Sequence, residues 1–483
     1  MSTSTTLARR AFAALLGASP LLVLGIIALL SGKIPDRVRY DQVLYHEPTI
    51  REFLKQWPRF DLYDYLSATT PAYHLLLAGL ARAAGESLLV LRLGSLAIGS
   101  AFVGLVAWGL AGRVRPVVAG LLVWPLATSL YVGQSAAYIL PDNMAWLLVS
   151  AMVLLALRER PRWGTFVLMG GVLVLLVATR QVHAWTGGLI VVSAWLAPIS
   201  STERYVGPAL LVDLRSRIIP LMIGFAAGLP AALLLARFVH LWGGLVPPRF
   251  QGQYAGGFNA ASVCFFLSLL ALGSVFFAPI LWPRLLRMWQ ERRGALIVAA
   301  ISGALSAVIA PSNYDYAAGR RSGLWNLAAK LPTIGHTSPL MLLLAAAGAG
   351  CLAAWVWPLR ARDKLVVLAS IAGFWVALGA SVELWQRYTE PFLLVMLAVM
   401  GALTIERETE DESRFPSGWT RWWALTGPVA LAGLFALLGV RSLAGAPLLT
   451  DPPPPAKAPD DTSPIPAPVD VSVPPPAHGR TLW

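Results

Sequence analysis

The chain has 483 residues, of which 57% are hydrophobic and only 13% charged. That is too apolar for a soluble protein of this length, and apolar runs near helix-spanning length recur along it. The formal charge of +13 comes almost wholly from Arg, and in such a chain it reads as topology and lipid headgroups, with no call for nucleic acid as a partner.

The runs are continuously apolar and do not alternate with period two, which excludes a β-barrel. The expected fold is all-α, a polytopic transmembrane bundle of about 12–13 spans. The first, near 11–30, follows Arg9-Arg10. It is too long for a signal h-region and has no clear small-residue cleavage site after it, so it is expected to remain as an anchor. A long polar loop, 32–86, comes next. The later spans centre near 88–111, 116–133, 142–157, 164–179, 185–198, 218–241, 260–282, 294–310, 339–357, 365–381, 391–405 and 421–440.

With the N-terminus in the cytoplasm, the short basic connections all fall inside. They carry Arg113/Arg115, Arg158/Arg160/Arg162, Arg204/Arg215/Arg217, Arg284/Arg287/Arg292/Arg293 and Arg360/Arg362/Lys364, as the positive-inside rule requires. The long loop then lies outside. Residues 1–445 form one membrane module. The stretch 446–483, with PPPP, PIPAP and VPPP, reads as a disordered, polyproline-rich tail, external for an odd number of spans. Cys264 and Cys351 lie in predicted spans and offer neither a disulfide framework nor a metal set.

The first loop holds six acids, Asp36, Asp41, Glu47, Glu52, Asp61 and Asp64. A connection this long and this ionisable suggests a site. Val43, Leu44, Ile50, Phe53, Leu54 and Trp57 recur at helical spacing, which predicts an amphipathic helix on the membrane surface. Pro71–Ala84 predicts a second interfacial helix, too short to span.

Asp41 is the leading candidate base, placed where a carboxylate can take the proton of an incoming hydroxyl; the competing reading is a helix N-cap. Asp142 opens a span and carries the same two readings, with capping favoured. Arg180, Gln181 and His183 sit at the membrane boundary, where ionisable groups are costly. Arg suits bidentate binding of phosphate, and the alternative is a snorkelling boundary residue. Arg320, Arg321 and Lys330 are basic on the side where topology asks for no positive charge. An anionic ligand explains them; a solvated loop is the plainer account. Arg387-Tyr388 opens a later span on that side. No Walker, dinucleotide or HExxH motif occurs.

The pattern resembles the GT-C class of polytopic glycosyltransferases, and within it the dolichyl-phosphate-glucose α-1,2-glucosyltransferases. Asp41, Tyr45, His46 and Pro48 follow the order of that family's first loop. So do Asp64, Thr69, Thr70, Pro71 and Tyr73, then Arg180, Gln181 and Trp185, and finally Arg387, Tyr388 and Pro391. Asp142 stands where the family more often has Glu. Gln42 replaces the second acid of the family's acidic pair.

The resemblance implies a polyprenyl-phosphate-linked sugar donor, glucose in that family, and transfer to a glycan or glycolipid acceptor on the external face of the cell membrane with inversion. Asp41 would be the base, with Glu47 or Asp64 in reserve. His46 and Asp142 would orient acceptor or base. Arg180, Gln181, Arg320, Arg321, Arg387 and Tyr388 would hold the donor phosphate. Arginines supply charge to a phosphate leaving group, so no metal or other cofactor is expected. Two other readings share the lipid-phosphate partner: a flippase or transporter of lipid-linked oligosaccharide, and a surface-polysaccharide ligase.

Overall fold

The structure, a computed structural model, describes residues 3–198, 215–254, 257–381, 383–410 and 419–449. The proline-rich segment from 450 onward and the Arg204 connection lie outside the described residues. Among those residues the chain is helical, with isolated β-bridges only.

The first helix, α1 (Thr3–Ser31), packs lengthwise on the bundle, and Trp124 Nε1 donates to Leu16 O at 2.9 Å. The first loop then folds as α2 (Asp36–Asp41), a π-turn (Gln42–His46) and α3 (Glu47–Gln56), followed by α4 (Ala72–Ala84). Proline at the first turn and Glu47 suit the N-terminus of α3, and Lys55 suits its last turn. Its inner face, Ile50 and Phe53, is buried with Tyr65, Tyr73 and Leu77 against Phe238 and Trp242 of a later helix. Both predicted interfacial helices are therefore present, docked by an apolar face of their own.

Next come α5 (Leu88–Leu110), α6 (Pro116–Thr128), α7 (Leu130–Ala137), α8 (Asp142–Ala156) and α9 (Trp163–Thr179). A 3-10 turn (Gln181–Thr186) leads into α10 (Gly187–Trp195), and then follow α11 (Arg215–Trp242), α12 (Pro248–Tyr254), α13 (Ser262–Phe276) and α14 (Ala278–Ile309). The last five are α15 (Leu324–Ala328), α16 (Pro339–Val356), α17 (Ala361–Gly379), α18 (Gln386–Glu410) and α19 (Trp419–Ala444).

Seven of the described helices are long and apolar enough to cross a membrane, or eight if α6 and α7 count as one span bent by 75°. Three shorter apolar helices accompany them, α8, α9 and α13. The chain is a multi-pass membrane protein, with fewer full-length spans than the expected 12–13. Apolar composition does not report helix length: the expected spans at 142–157, 164–179, 185–198 and 260–282 fall on α8, α9, α10 and α13, which have 15, 17, 9 and 15 residues. Ser129 leaves helical geometry (φ −53, ψ 131) between α6 and α7, and residues 181–186 coil into 3-10 geometry where a span was expected at 185–198. Conversely, α14 runs across the expected boundary near 282–294, with its kink at Arg292 (φ −145, ψ 40).

Gly303 meets the Ala345 backbone, and Gly348 the Leu267 carbonyl, so closely that a Cβ at either position would collide with main chain. These contacts let α14 and α13 close on α16, as small residues do in membrane bundles. Helix α11 presents Ile219, Met222, Phe225, Leu229 and Leu233 outward, a lipid-facing stripe. Helix α18 is the opposite case, with every residue from Phe392 to Met400 buried. Its first turn therefore lies near the middle of one end of the bundle.

The first loop covers that end. After α19 the chain returns to it: Ile34 N donates to Pro447 O (3.0 Å), Leu449 N to Gly32 O (2.8 Å) and Lys33 Nζ to Ala444 O (2.8 Å). Leu443 and Leu449 pack with Ile34 and Val38 beneath α2. The last described residues thus share an end with the first loop.

Candidate active site

The buried start of α18 brings Arg387 and Tyr388 under the first loop, and Arg387 Nη1 bonds Asp41 Oδ2 at 2.6 Å. Asp41 lies inside a continuous helical run and makes no capping bond, so its N-cap reading is not met. Asp142, at the start of α8, likewise makes no cap bond and is paired with Arg180 at the end of α9. The second pair meets the first through Tyr388. Its ring lies 4.8 Å from the Arg180 guanidinium and 4.9 Å from that of Arg387, and its hydroxyl accepts from Arg387 Nη2 at 3.0 Å. Two carboxylates, two guanidiniums and a phenol so form one cluster, at the border between the apolar bundle and the polar loop.

Trp385 widens the cluster. It stacks parallel on Tyr388, with interplanar angle 2°, and Arg387 lies 5.1 Å and Arg321 5.2 Å from its ring. Arg321 also bonds Glu383 at 2.8 Å, and burial raises the Glu383 carboxyl above its usual range against that pull. A small cavity of about 50 Å³ opens here, lined by Asp142, Asn143, Trp146, Trp385, Arg387 and Pro391 among others. Arg387 Nε and Asn143 Oδ1 are buried with no hydrogen-bond partner among the described residues. Such groups are costly unless something satisfies them.

His46 lies within reach of all four charges of the two pairs. Its Nδ1 is 3.0 Å from Nε2 of His74 on α4, with the rings stacked, so one imidazole donates and the other accepts. Burial brings His46 from about 6.5 down to about 4, and burial beside His46 holds His74 well below the ordinary histidine value. Both are neutral at physiological pH and act as hydrogen-bonding groups.

The other candidates lie elsewhere. Gln181 is engaged in tethering: its Oε1 accepts from Thr70 N at 3.2 Å, and its Nε2 donates to Ala68 O and Leu245 O at 2.9 and 2.8 Å. Arg320 clamps its own turn through Asn313 O and Asp315. Glu47 is paired with Arg51, and Asp64 with Arg249, along a separate cleft.

Sequence reasoning passed over His74, Trp385 and Arg92. Arg92 is buried, donates to Gln42 Oε1 at 3.1 Å, and lies 5.1 Å from the Tyr138 ring. An arginine inside an apolar span was the available signal for it. Gln42 is fully buried and holds Arg92 beside the turn that carries Asp41.

No family model matches the chain, and no curated protein does. Among solved structures, the crystal structure of ArnT from Cupriavidus metallidurans bound to undecaprenyl phosphate aligns with 89% of this chain and 88% of that one, at 12% identity and a TM-score of 0.37. Similarity at that level assigns neither a family nor an activity.

Proposed function

We propose that the chain is an integral-membrane glycosyltransferase of the GT-C type. It takes a sugar from a polyprenyl-phosphate donor and passes it to a hydroxyl of a glycan or glycolipid acceptor at the loop end of the bundle. The observation that carries this reading is the contact between Asp41 and Arg387 within a cluster that also holds Arg180, Asp142 and Tyr388. It supports a carboxylate base beside cations suited to phosphate, between the polar loop and the apolar helices.

The donor's phosphate competes with the carboxylates for the guanidiniums, which are the better phosphate ligands. When Arg387 turns to the donor, Asp41 is released from its ion pair and its Oδ2 is open to accept a proton. Asp41 then takes the proton of the acceptor hydroxyl as that oxygen attacks the anomeric carbon. The bond from the anomeric carbon to the phosphate oxygen breaks, with inversion, and the leaving phosphate keeps the electron pair. Arg180 and Arg387 stabilise the charge that develops on it. The two guanidiniums supply the positive charge, so the reaction proceeds without a metal. By the sequence resemblance the sugar is glucose, and by the charge pattern of the connections this end faces away from the cytoplasm.

Protein in nanodiscs supplied with polyprenyl-phosphate glucose and glycan acceptors should release polyprenyl phosphate and form a glycosylated product. Asp41→Asn should lower the rate by about 10²–10⁴-fold. Transfer that survives intact in Asp41→Asn would remove the base assignment. Movement of the lipid across the bilayer with no sugar transfer would replace the transferase reading by a transporter.

A further inference from the structure

A second opening lies over the first loop, and the reaction described above does not use it. It is a cleft of about 580 Å³ between α3 and the chain from Asp61 to Leu66, with Arg249 of α12 on its edge. That volume is in the range of small-molecule sites, about 300–1,000 Å³.

Its walls say what it would accept. Glu47, Glu52, Asp61 and Asp64 face it, against Arg51, Lys55 and Arg249. Two of those cations are already held within the wall. Arg51 is 2.6 Å from Glu47, while Arg249 is 3.1 Å from one Asp64 oxygen and donates its backbone N–H to the other at 3.2 Å. With four carboxylates to three cations, two of them spent, a phosphate has no reason to settle here. A polyol does: hydroxyls donate to carboxylates and accept from amide and ammonium groups. The floor adds Val43, Tyr65 and Leu66, apolar surface for the C–H face of a sugar ring.

The cleft also shares an element with the cluster. Val43 and Glu47 belong to the same helical run as Asp41, two and six residues further on. An acceptor lying in the cleft would rest on the element that carries the base.

We propose that this cleft is the acceptor subsite and that it holds an uncharged oligosaccharide; this rests on the transferase reading. The loop end would then sort its substrates by charge, with anionic donor at the arginines and neutral acceptor in the carboxylate-lined cleft.

Titration of nanodisc-embedded protein with maltotriose and with cellotriose, followed by saturation-transfer NMR, tests this, with inorganic phosphate as the anionic arm. At least one trisaccharide should bind saturably. The double substitution Glu52→Gln/Asp61→Asn should weaken that binding by roughly tenfold. Val43→Trp, which fills the floor, should do the same, and both variants should keep wild-type affinity for polyprenyl phosphate. In the transfer assay they should raise the acceptor KM and leave donor KM unchanged. No saturable binding of either trisaccharide, binding that survives both variants, or phosphate binding lost in both would overturn the proposal. Sugar transfer with acceptor KM unmoved in both variants would sink the cleft and leave the transferase standing. Trisaccharide binding in a protein that never cleaves the donor would do the reverse.

Discussion

The two ends of the bundle carry the same residue types and use them differently. At the end away from the first loop, Arg113 bonds Glu406 (3.0 Å) and lies 3.5 Å from Asp363, and its Nη2 donates to Leu157 O at 2.6 Å. Arg362 donates to Leu196 O and Ala156 O at 2.8 and 3.1 Å. These carbonyls lie at the C-terminal ends of α8 and α10, where helices leave acceptors unmatched and favour cations. At the loop end, Arg180 and Arg387 bond only side chains among the described residues, two carboxylates and a phenol. A guanidinium bonded to main chain is fixed by the fold. One bonded to side chains can change partners by rotation, and a cavity lies beside Arg387. The contrast separates arginines that hold helices together from arginines available to a ligand.

Substitutions break that contrast most directly. Arg387→Ala should lower transfer by about 10²–10³-fold, the cost of losing a preorganised charge at the leaving group. Arg113→Gln should leave transfer per folded molecule unchanged and reduce stability by about 1–3 kcal/mol, because Glu406 and Asp363 lose their partner. Parallel measurement of initial rates and thermal unfolding checks both. Equal losses of rate in the two variants would erase the distinction between the ends.

A smaller effect concerns how Asp41 is held. The segment after α19 pairs with Gly32–Ile34, and Tyr138 OH donates to Lys33 O at 3.0 Å while its ring faces Arg92, which holds Gln42. A chain ending after Leu449 should retain full turnover. One ending after Ala444 should lose roughly tenfold in kcat with donor KM little changed, since small misplacements of a reacting group are costly. Equal turnover in the two would show that the segment does not position α2.

The mildest prediction is a pH dependence. His46 falls to about 4 in the folded protein from about 6.5. An imidazole whose value is depressed by folding supports the fold above its unfolded value and withdraws that support as pH falls toward the folded one. Amide protection factors over residues 36–56, corrected for the intrinsic pH dependence of exchange, should therefore fall between about pH 6.5 and 4, and His46→Gln should flatten the change. A profile identical in wild type and variant would remove the histidine pair from the account.

The helical membrane class, the two interfacial helices and the breaks between most elements were legible in the sequence, because apolar runs and their 3.6 period report them directly. The helix break at Ser129 was hidden, since Thr128 and Ser129 are small and sit within an apolar run, and the partner of the Ser129 hydroxyl, Glu390, is far along the chain. The candidate residues were legible as types on one side of the membrane. Their pairing was not: Asp41 and Arg387 are 346 residues apart, and Asp142 and Arg180 are 38 apart. His74 was concealed in an apolar run that reads as a packing face, and it does pack, through its neighbour Tyr73. Gln181 looked like part of a phosphate site because it follows Arg180, but the chain leaves helical geometry between α9 and the 3-10 turn, and its amide turns to Ala68, Thr70 and Leu245.

We propose that the loop-end arginines, Arg180 and Arg387, receive a lipid phosphate. Sugar-free polyprenyl phosphate titrated into wild type, Arg180→Gln/Arg387→Gln and Arg113→Gln, each in nanodiscs, tests it directly. Saturable binding is expected in wild type and Arg113→Gln, with its loss in the double variant. Undiminished binding in the double variant would contradict it.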